Sequence, residues 1–417
     1  MLTPLVAVGL VVAAFVGFNI GGSSTGVAFG PAVGSRIVRK ATAGTLFMLF
    51  AFLGAWTVGR NVITTMSEGI VPAAQFTPAA GVGVLFFTGL SLLISNIYGV
   101  PASTSMTAVG AIVGLGLATG TLKEATMFTI VSAWIVAPLI GLGVGAVIGR
   151  YIYPRLEARL SFTRLEDQLL QIDRSGRLPR FRVNEDAQPR DILGSLLVLV
   201  IACYMGFSAG ASNAANAVAP LVGNGAVSVD QGVLLAVAAI SLGGFTIARR
   251  TLATVGDGIT DLPILAALIV STVGASIITV LSYYGIPASL AVSTTCCIIG
   301  LGWGRASRVA TLAELATPPE RGDPGMVLNT GALAAASTED EKPAGPTVGE
   351  LAGGPEQAPE QPDETSQSVP AIGEEESDVL SAESLFDPAA VSRIVVLWIL
   401  TPSLSVVGSY LLFTLFV

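Results

Sequence analysis

Apolar residues run along this chain in long stretches, and polar residues gather in short clusters between them. The stretches cover about residues 4–34, 41–60, 82–98, 102–119 and 125–149, then 191–222, 232–248, 262–284, 287–304 and 391–417. Many approach the roughly 20 residues of helix that cross about 30 Å of hydrocarbon. The pattern predicts an all-α polytopic membrane protein with ten crossings, a multi-pass protein of the cell (plasma) membrane. With 52% hydrophobic and 12% charged residues and a mean hydropathy of +0.73, a soluble domain would aggregate. Residues 1–20 carry no basic leader and no clear small-residue cleavage site, so Met1 to Val16 is expected to begin the first spanning helix rather than a signal peptide.

The pattern is also duplicated. VAAFVGFNIGGSSTGVAFGPAVG from Val12 pairs with IACYMGFSAGASNAANAVAPLVG from Ile201, an offset of 189. LGAWTVGRNVITTMSEGI from Leu53 pairs with LGGFTIARRTLATVGDGI from Leu242 at the same offset, and GVPASTSMTAVGAIVGLG from Gly99 pairs with GIPASLAVSTTCCIIGLG from Gly285 at 186. Three blocks in one order make chance a poor explanation. Five crossings per copy, an odd number, would invert the second copy relative to the first.

Charge supports that inversion. The connector after the first motif holds Arg36, Arg39 and Lys40, whereas its counterpart GNGAVSVD has no base and ends in Asp230. If bases mark the cytoplasmic side, the two loops lie on opposite faces; Arg60 then sits on the unfavoured side. The net charge of −8 conceals a split: residues 305–390 hold 17 acidic and 4 basic residues, leaving 17 basic and 12 acidic elsewhere. The expected organisation is a first membrane repeat over 1–150, a cytoplasmic linker over 151–190 with a polar helix near Arg155 to Gln171, a second repeat over 191–304, an acidic insertion over 305–390, and a final membrane helix over 391–417. The insertion is too rich in Pro, Gly, Glu and Ser to bury a core and reads as disordered.

Candidate chemistry lies in the repeated blocks. GGSSTG supplies Ser23, Ser24 and Thr25 on a backbone read as too glycine-rich for regular helix, and GASNAANA supplies Ser212, Asn213 and Asn216. Hydroxyls and amides beside free N–H groups at a helix start can hold an oxyanion, and freed carbonyls can hold a hard cation. Small residues also allow close helix packing, the alternative for one motif taken alone. Ser103, Thr104 and Ser105 follow Pro101, and Ser289 follows Pro287, each placed to cap a restarting helix. The matched acids Glu68 and Asp257, with surface connectors as their ordinary setting, are the remaining carboxylates. Cys203, Cys296 and Cys297 lie in apolar runs and read as buried hydrophobes. Trp56, Trp134, Trp303 and Trp398, near segment ends, fit interfacial belts.

These blocks resemble the inorganic phosphate transporter (PiT) family of sodium- or proton-coupled symporters, with signatures similar to GANDVANAFGTSVGSR and GLPVSTTH. Here they read GGSSTGVAFGPAVGSR, GASNAANAVAPLVG, GVPASTSM and GIPASLAV. The resemblance covers most of both halves. It implies an inverted-repeat secondary transporter with broken or re-entrant helices at the motifs, assembled as a homodimer, carrying phosphate with a coupling Na+ or H+. Together with the motif chemistry above, Ser23, Ser24, Thr25, Ser103, Thr104, Ser105, Ser212, Asn213, Asn216 and Ser289 form the expected substrate shell; Glu68, Asp257, Asn213 and Asn216, joined by Thr65 and Thr254 on family position, are the sodium candidates. The family's acidic positions fall on Ser24 and Asn213, its later Asn on Val27 and Asn216, and its histidine on Met106 and Val292. The site is therefore neutral, open to phosphate or to sulfate.

An embedded enzyme is disfavoured. Nucleophilic serine needs a neighbouring base, the paired motifs supply none, and the chain has no histidine. No cofactor is expected beyond a coupling ion, and no nucleic-acid partner. An anion channel on the same scaffold is the rival class; accumulation of substrate distinguishes a carrier from it.

Overall fold

The computed structural model describes residues 4–34, 37–97, 103–159, 170–173, 180–183, 189–246, 264–316 and 388–416. The membrane unit comprises 1–310 and 380–417, and a second unit spans 311–379. In chain order the helices are α1 (Pro4–Gly34), α2 (Lys40–Thr57), α3 (Gly59–Thr64), α4 (Pro78–Ile97), α5 (Thr104–Thr119), α6 (Glu124–Val147) and α7 (Tyr153–Arg159). The second half supplies α8 (Pro189–Gly223), α9 (Val229–Thr246), α10 (Ile264–Tyr283), α11 (Leu290–Ala316) and α12 (Pro388–Phe416).

Six of these segments are long and apolar enough to cross a membrane. The pair Lys40–Thr57 and Gly59–Gly69, bent by 60°, makes a seventh. This falls short of ten crossings among the described residues. One reason is local: Thr104–Thr119 is a shorter apolar helix, and its 16 residues rise only about 24 Å. Another lies in α11, which carries Arg305 and Arg308 and runs past the expected boundary at 304 to Ala316.

The expected linker helix from Arg155 to Gln171 is also corrected. Helix α7 reaches Arg159, and Leu170–Asp173 (β1) pairs antiparallel with Arg180–Val183 (β2), Leu170 opposite Val183 and Asp173 opposite Arg180. The hairpin is the one departure from an all-helical fold among the described residues. The acidic stretch from 317 to 387 lies outside them.

Matched helices pack reciprocally. Helix α1 lies along α9, and α8 lies along α2. A Cβ at Gly21 would overlap the Ile240 carbonyl, and one at Gly210, its counterpart 189 residues on, would overlap the Ala51 carbonyl, 189 residues before Ile240. The pattern recurs between Gly54 and Phe207 and between Gly243 and Phe18. Helices α1 and α8 cross antiparallel: Gly9 faces Leu221, Ser24 meets Asn213 and Phe29 faces Gly206. Further out, α5 presses Gly110 and Gly114 against the carbonyls of Pro402 and Val406 in α12. In turn α6 presses Gly141 and Gly145, and the π-helical turn that follows it presses Gly149, against α11. In lipid there is little hydrophobic gain between helices, so close backbone approach through small residues supplies the packing.

That packing corrects one sequence expectation. The GGSSTG and GASNAANA blocks do not interrupt their helices; α1 and α8 run straight through them. The glycines serve interhelical contact, and Thr25 satisfies itself by donating to the Gly21 carbonyl at 2.9 Å. The breaks among the described residues fall elsewhere, at Val58 and at Gly285-Ile-Pro287, and Gly99 to Pro101 lie outside those residues. Gly285, at φ 72°, closes α10 in a left-handed turn, with Ile286 N–H donating to the Leu281 carbonyl. Pro287 then delays the next helix until Leu290.

Candidate anion site at the crossing of the matched helices

Helix α5 begins inside the bundle. Its N-cap, Ser103, is fully buried yet makes no side-chain cap. The first helical hydrogen bond here runs from Thr107 N–H to the Ser103 carbonyl, so the amides before Thr107 have no partner within the helix. The two residues after Ser103 reach α8. Thr104 Oγ1 donates to Asn213 Oδ1 at 2.7 Å, and Ser105 Oγ lies 3.4 Å from Ser212 Oγ.

Helix α8 supplies the middle of the cluster. Its 3.6-residue period puts Ser212, Asn213 and Asn216 toward the same neighbours. Asn216 Nδ2 donates toward Thr104 Oγ1, Ser105 Oγ and Asn213 Oδ1 at 3.2–3.3 Å. Asn213 Nδ2 donates to Ser24 Oγ on α1 at 3.4 Å. Ser212 Oγ donates to the Ala288 carbonyl at 2.9 Å, tying the start of α11 to the same point. The α11 N-terminus is capped differently: Val292 N–H donates to Ser289 Oγ at 3.4 Å. Two helix starts and the α1–α8 crossing thus converge on Ser212 and Asn213.

The cluster is buried, Ser212 and Asn216 at 1% exposure and Asn213 at 6%. Every side chain in it is neutral. Ser103 Oγ and Asn216 Oδ1 are buried with no hydrogen-bond partner among the described residues. In a protein interior such groups cost about 1–3 kcal/mol each when unsatisfied, so both are free to meet a polar solute. Helix N-terminal amides and hydroxyl donors suit an anion, and the amide oxygen suits a cation or a proton donor.

The sequence candidates divide accordingly. Ser24, Thr104, Ser105, Ser212, Asn213 and Asn216 meet directly. Ser103 and Ser289 stand at the adjoining helix starts. Thr25 is buried but bonded to its own helix, and the Ser23 side chain lies outside the described residues. Thr65 and Glu68 sit apart, in a π-helical turn over Thr65–Gly69 that lines a surface cavity of about 490 Å³ with Thr64, Gly69, Pro72, Ala73 and Lys123. Lys123 Nζ donates to the Glu68 backbone carbonyl at 2.6 Å, which brings a positive charge to the position considered for sodium. Thr254, Asp257 and Arg249 lie outside the described residues.

Three long-range contacts carry no clear signal in the sequence. Arg60 pairs with Asp230 at 2.6 Å and stacks 4.2 Å from the Trp56 ring, which gives a partner to a base on the unfavoured side. Trp134 is no simple interfacial anchor: its Nε1–H donates to the Pro287 carbonyl at 2.8 Å. Asn61 Nδ2 donates to the Tyr283 carbonyl at 2.7 Å. The last two fix the turn before α11, and each spans more than 150 residues of chain.

A multi-pass helical bundle with a buried polar cluster at the crossing of two matched helices suits a membrane transporter. The chain belongs to the phosphate transporter family, whose model matches residues 20–317. It is 32% identical to the sulfate permease CysP of Bacillus subtilis (strain 168), over 70% of this chain and 75% of that one. It is 23% identical to the chloroplastic inorganic phosphate transporter 2-1 of Arabidopsis thaliana, over 72% and 67%. A solved structure, that of the sodium-dependent phosphate transporter, shares the fold with a TM-score of 0.59 and 20% identity, over 75% of this chain and 93% of that one.

Proposed function

We propose that this protein is a secondary active permease for a tetrahedral oxyanion, held between two inverted repeats and released by alternating access. The observation that carries this reading is the convergence of Thr104 and Ser105 at the α5 start with Ser212, Asn213 and Asn216 on α8 and Ser24 on α1. Ser103 completes the donor set, with Thr25 and Ser289 at its margin, and Ser23 joins it by motif position alone. The antiparallel crossing of α1 and α8 supports the inversion, because a solute there touches both copies and can be exposed to either face as they rock.

Sulfate is the substrate the site's chemistry supports best. A cage of neutral donors accepts an anion that has no proton to give, and the 32%-identical relative is named a sulfate permease. Phosphate is the second reading, favoured by the family and by the Arabidopsis relative. Coupling to Na+ is supported by the shared fold with a sodium-dependent transporter, with H+ as the alternative ion. The Asn216 Oδ1 left without a partner is the cation ligand inside the cage. Thr65 and Glu68, and by repeat position Thr254 and Asp257, form the outlying candidates.

Uptake of radiolabelled sulfate and phosphate into proteoliposomes, under separate sodium and proton gradients, tests the proposal. Saturable accumulation of either anion is expected, with loss in Ser24→Ala and Asn213→Ala variants that remain folded. Full transport by both variants removes these residues from the site, and current without accumulation makes the protein a channel.

A further inference from the structure

Asn213 and Ser24 occupy the same position in the two copies and touch each other, the amide donating to the hydroxyl at 3.4 Å. The Asn213 side chain is almost fully buried and already committed. Its Oδ1 accepts from Thr104 Oγ1 and Asn216 Nδ2, so toward a solute it offers no strong acceptor. Among the described residues the packed helices add none, and Glu68, in the π-helical turn that also packs on α8, lines the surface cavity. Helices α1, α4, α5 and α10 contain no charged residue. Arg190 and Asp191 of α8 lie 22 or more residues before Asn213, roughly 30 Å along the helix. Lys40, Arg60 and Asp230 stand in α2, α3 and the first turn of α9, and Arg305, Arg308 and Glu314 lie 15 or more residues into α11.

We infer that Asn213, seconded by Ser24, is the specificity-determining residue of the permease, and that its neutral side chain is what admits an oxyanion carrying no proton. This rests on the oxyanion reading of the cage given above. The physical contrast is simple. Near neutral pH sulfate has no proton, whereas phosphate retains at least one. A carboxylate at 213 would face a sulfate oxygen with no hydrogen between two negative groups. The same carboxylate would share the proton of phosphate in a charge-assisted hydrogen bond. The amide faces both anions without repulsion and gains nothing from the phosphate proton.

The test is the ratio of sulfate to phosphate uptake in proteoliposomes of the full chain, for wild type, Asn213→Asp and Ser24→Asp. Each protein is first shown by size-exclusion chromatography to be folded. The wild type is expected to favour sulfate, and sulfate uptake to resist a tenfold excess of phosphate. In Asn213→Asp the ratio is expected to fall by roughly 10- to 100-fold, the scale of one mispaired buried polar group, with Ser24→Asp moving it in the same direction. An unchanged ratio in a transporting aspartate variant overturns the inference, as does a wild type that prefers phosphate. So does loss of both anions in both folded variants, since the carboxylate then fails to rescue phosphate. A wild type that carries neither anion instead overturns the oxyanion reading.

Discussion

Gly210 of α8 and Ala51 of α2 approach so closely that a single added methyl group at Gly210 would overlap the Ala51 carbonyl. Their counterparts Gly21 and Ile240 repeat the contact on the other side of the bundle. A β-carbon at either glycine must displace backbone, which the neighbouring helix cannot yield cheaply. Gly210→Ala and Gly21→Ala are each expected to cost about 1–3 kcal/mol or more, read as a fall in the thermal midpoint of the detergent-solubilised protein. Because the two contacts are related by exchange of the copies, the two losses should be similar. A Gly302→Ala control, with open space around its Cβ position, should leave the midpoint nearly unchanged.

The Arg60–Asp230 pair joins the first copy's α3 to the start of the second copy's α9. The side chains are 33% and 59% exposed, so the pair contributes at most about 1 kcal/mol to stability. Its counterpart is absent: the residue 189 positions before Asp230 is Ala41. If the copies rock against one another, the pair biases them toward one end of the cycle. Asp230→Asn is expected to leave the melting temperature within a few degrees while changing the uptake rate severalfold. The exchange Arg60→Asp with Asp230→Arg should restore much of the original rate.

The duplicated blocks, the membrane class and most members of the buried polar cluster were legible from the chain because each is a matter of local pattern or of matching positions. The Gly-Ile-Pro run made the break before α11 readable, because the left-handed Gly285 ends α10 and Pro287 follows it; proline alone was no guide, since Pro31, Pro138, Pro220 and Pro402 all lie inside helices. Glycine was ambiguous. At Gly21 and Gly210 it reads locally as a helix breaker, and only the presence of Ile240 and Ala51 against it reveals a packing role. Asn216 was readable as a polar residue on α8, but not as the donor that gathers Thr104 and Ser105 from more than 100 residues away. The Asp230 partner of Arg60 and the Pro287 partner of Trp134 were equally invisible, since each contact joins residues more than 150 positions apart.

Trp134 holds the turn that precedes α11. Its indole N–H reaches the Pro287 carbonyl, and the adjoining Ala288 carbonyl accepts from Ser212. Trp134→Phe keeps most of the ring volume and removes only the donor, leaving a buried carbonyl short of one partner. A loss of about 1–2 kcal/mol is expected, together with weaker substrate affinity, because Ser212 loses a fixed neighbour. Measuring the KM for uptake separates the effects: a raised KM at unchanged protein level supports the coupling, and a stability loss with unchanged KM confines Trp134 to packing.

The outlying cavity around Glu68 gives a test of where the coupling cation sits. Lys123 places its ammonium on the Glu68 backbone carbonyl, in a cavity that both residues line. A sodium ion there would meet like charge, whereas the Asn216 Oδ1 is buried with no hydrogen-bond partner among the described residues. Glu68→Gln is therefore expected to change the sodium dependence of uptake by less than about twofold, because an exposed carboxylate beside a lysine contributes little to cation binding. Asn216→Leu keeps the bulk and removes both the oxygen and the Nδ2 donor to Thr104 and Ser105, so it should weaken anion uptake as well. At saturating anion it should raise the sodium concentration for half-maximal uptake by roughly tenfold or more, the loss expected when a buried polar partner is deleted. Sodium titrations of the two variants in matched proteoliposomes decide it. A large shift in Glu68→Gln with none in Asn216→Leu would move the cation site to the π-helical turn and out of the cage.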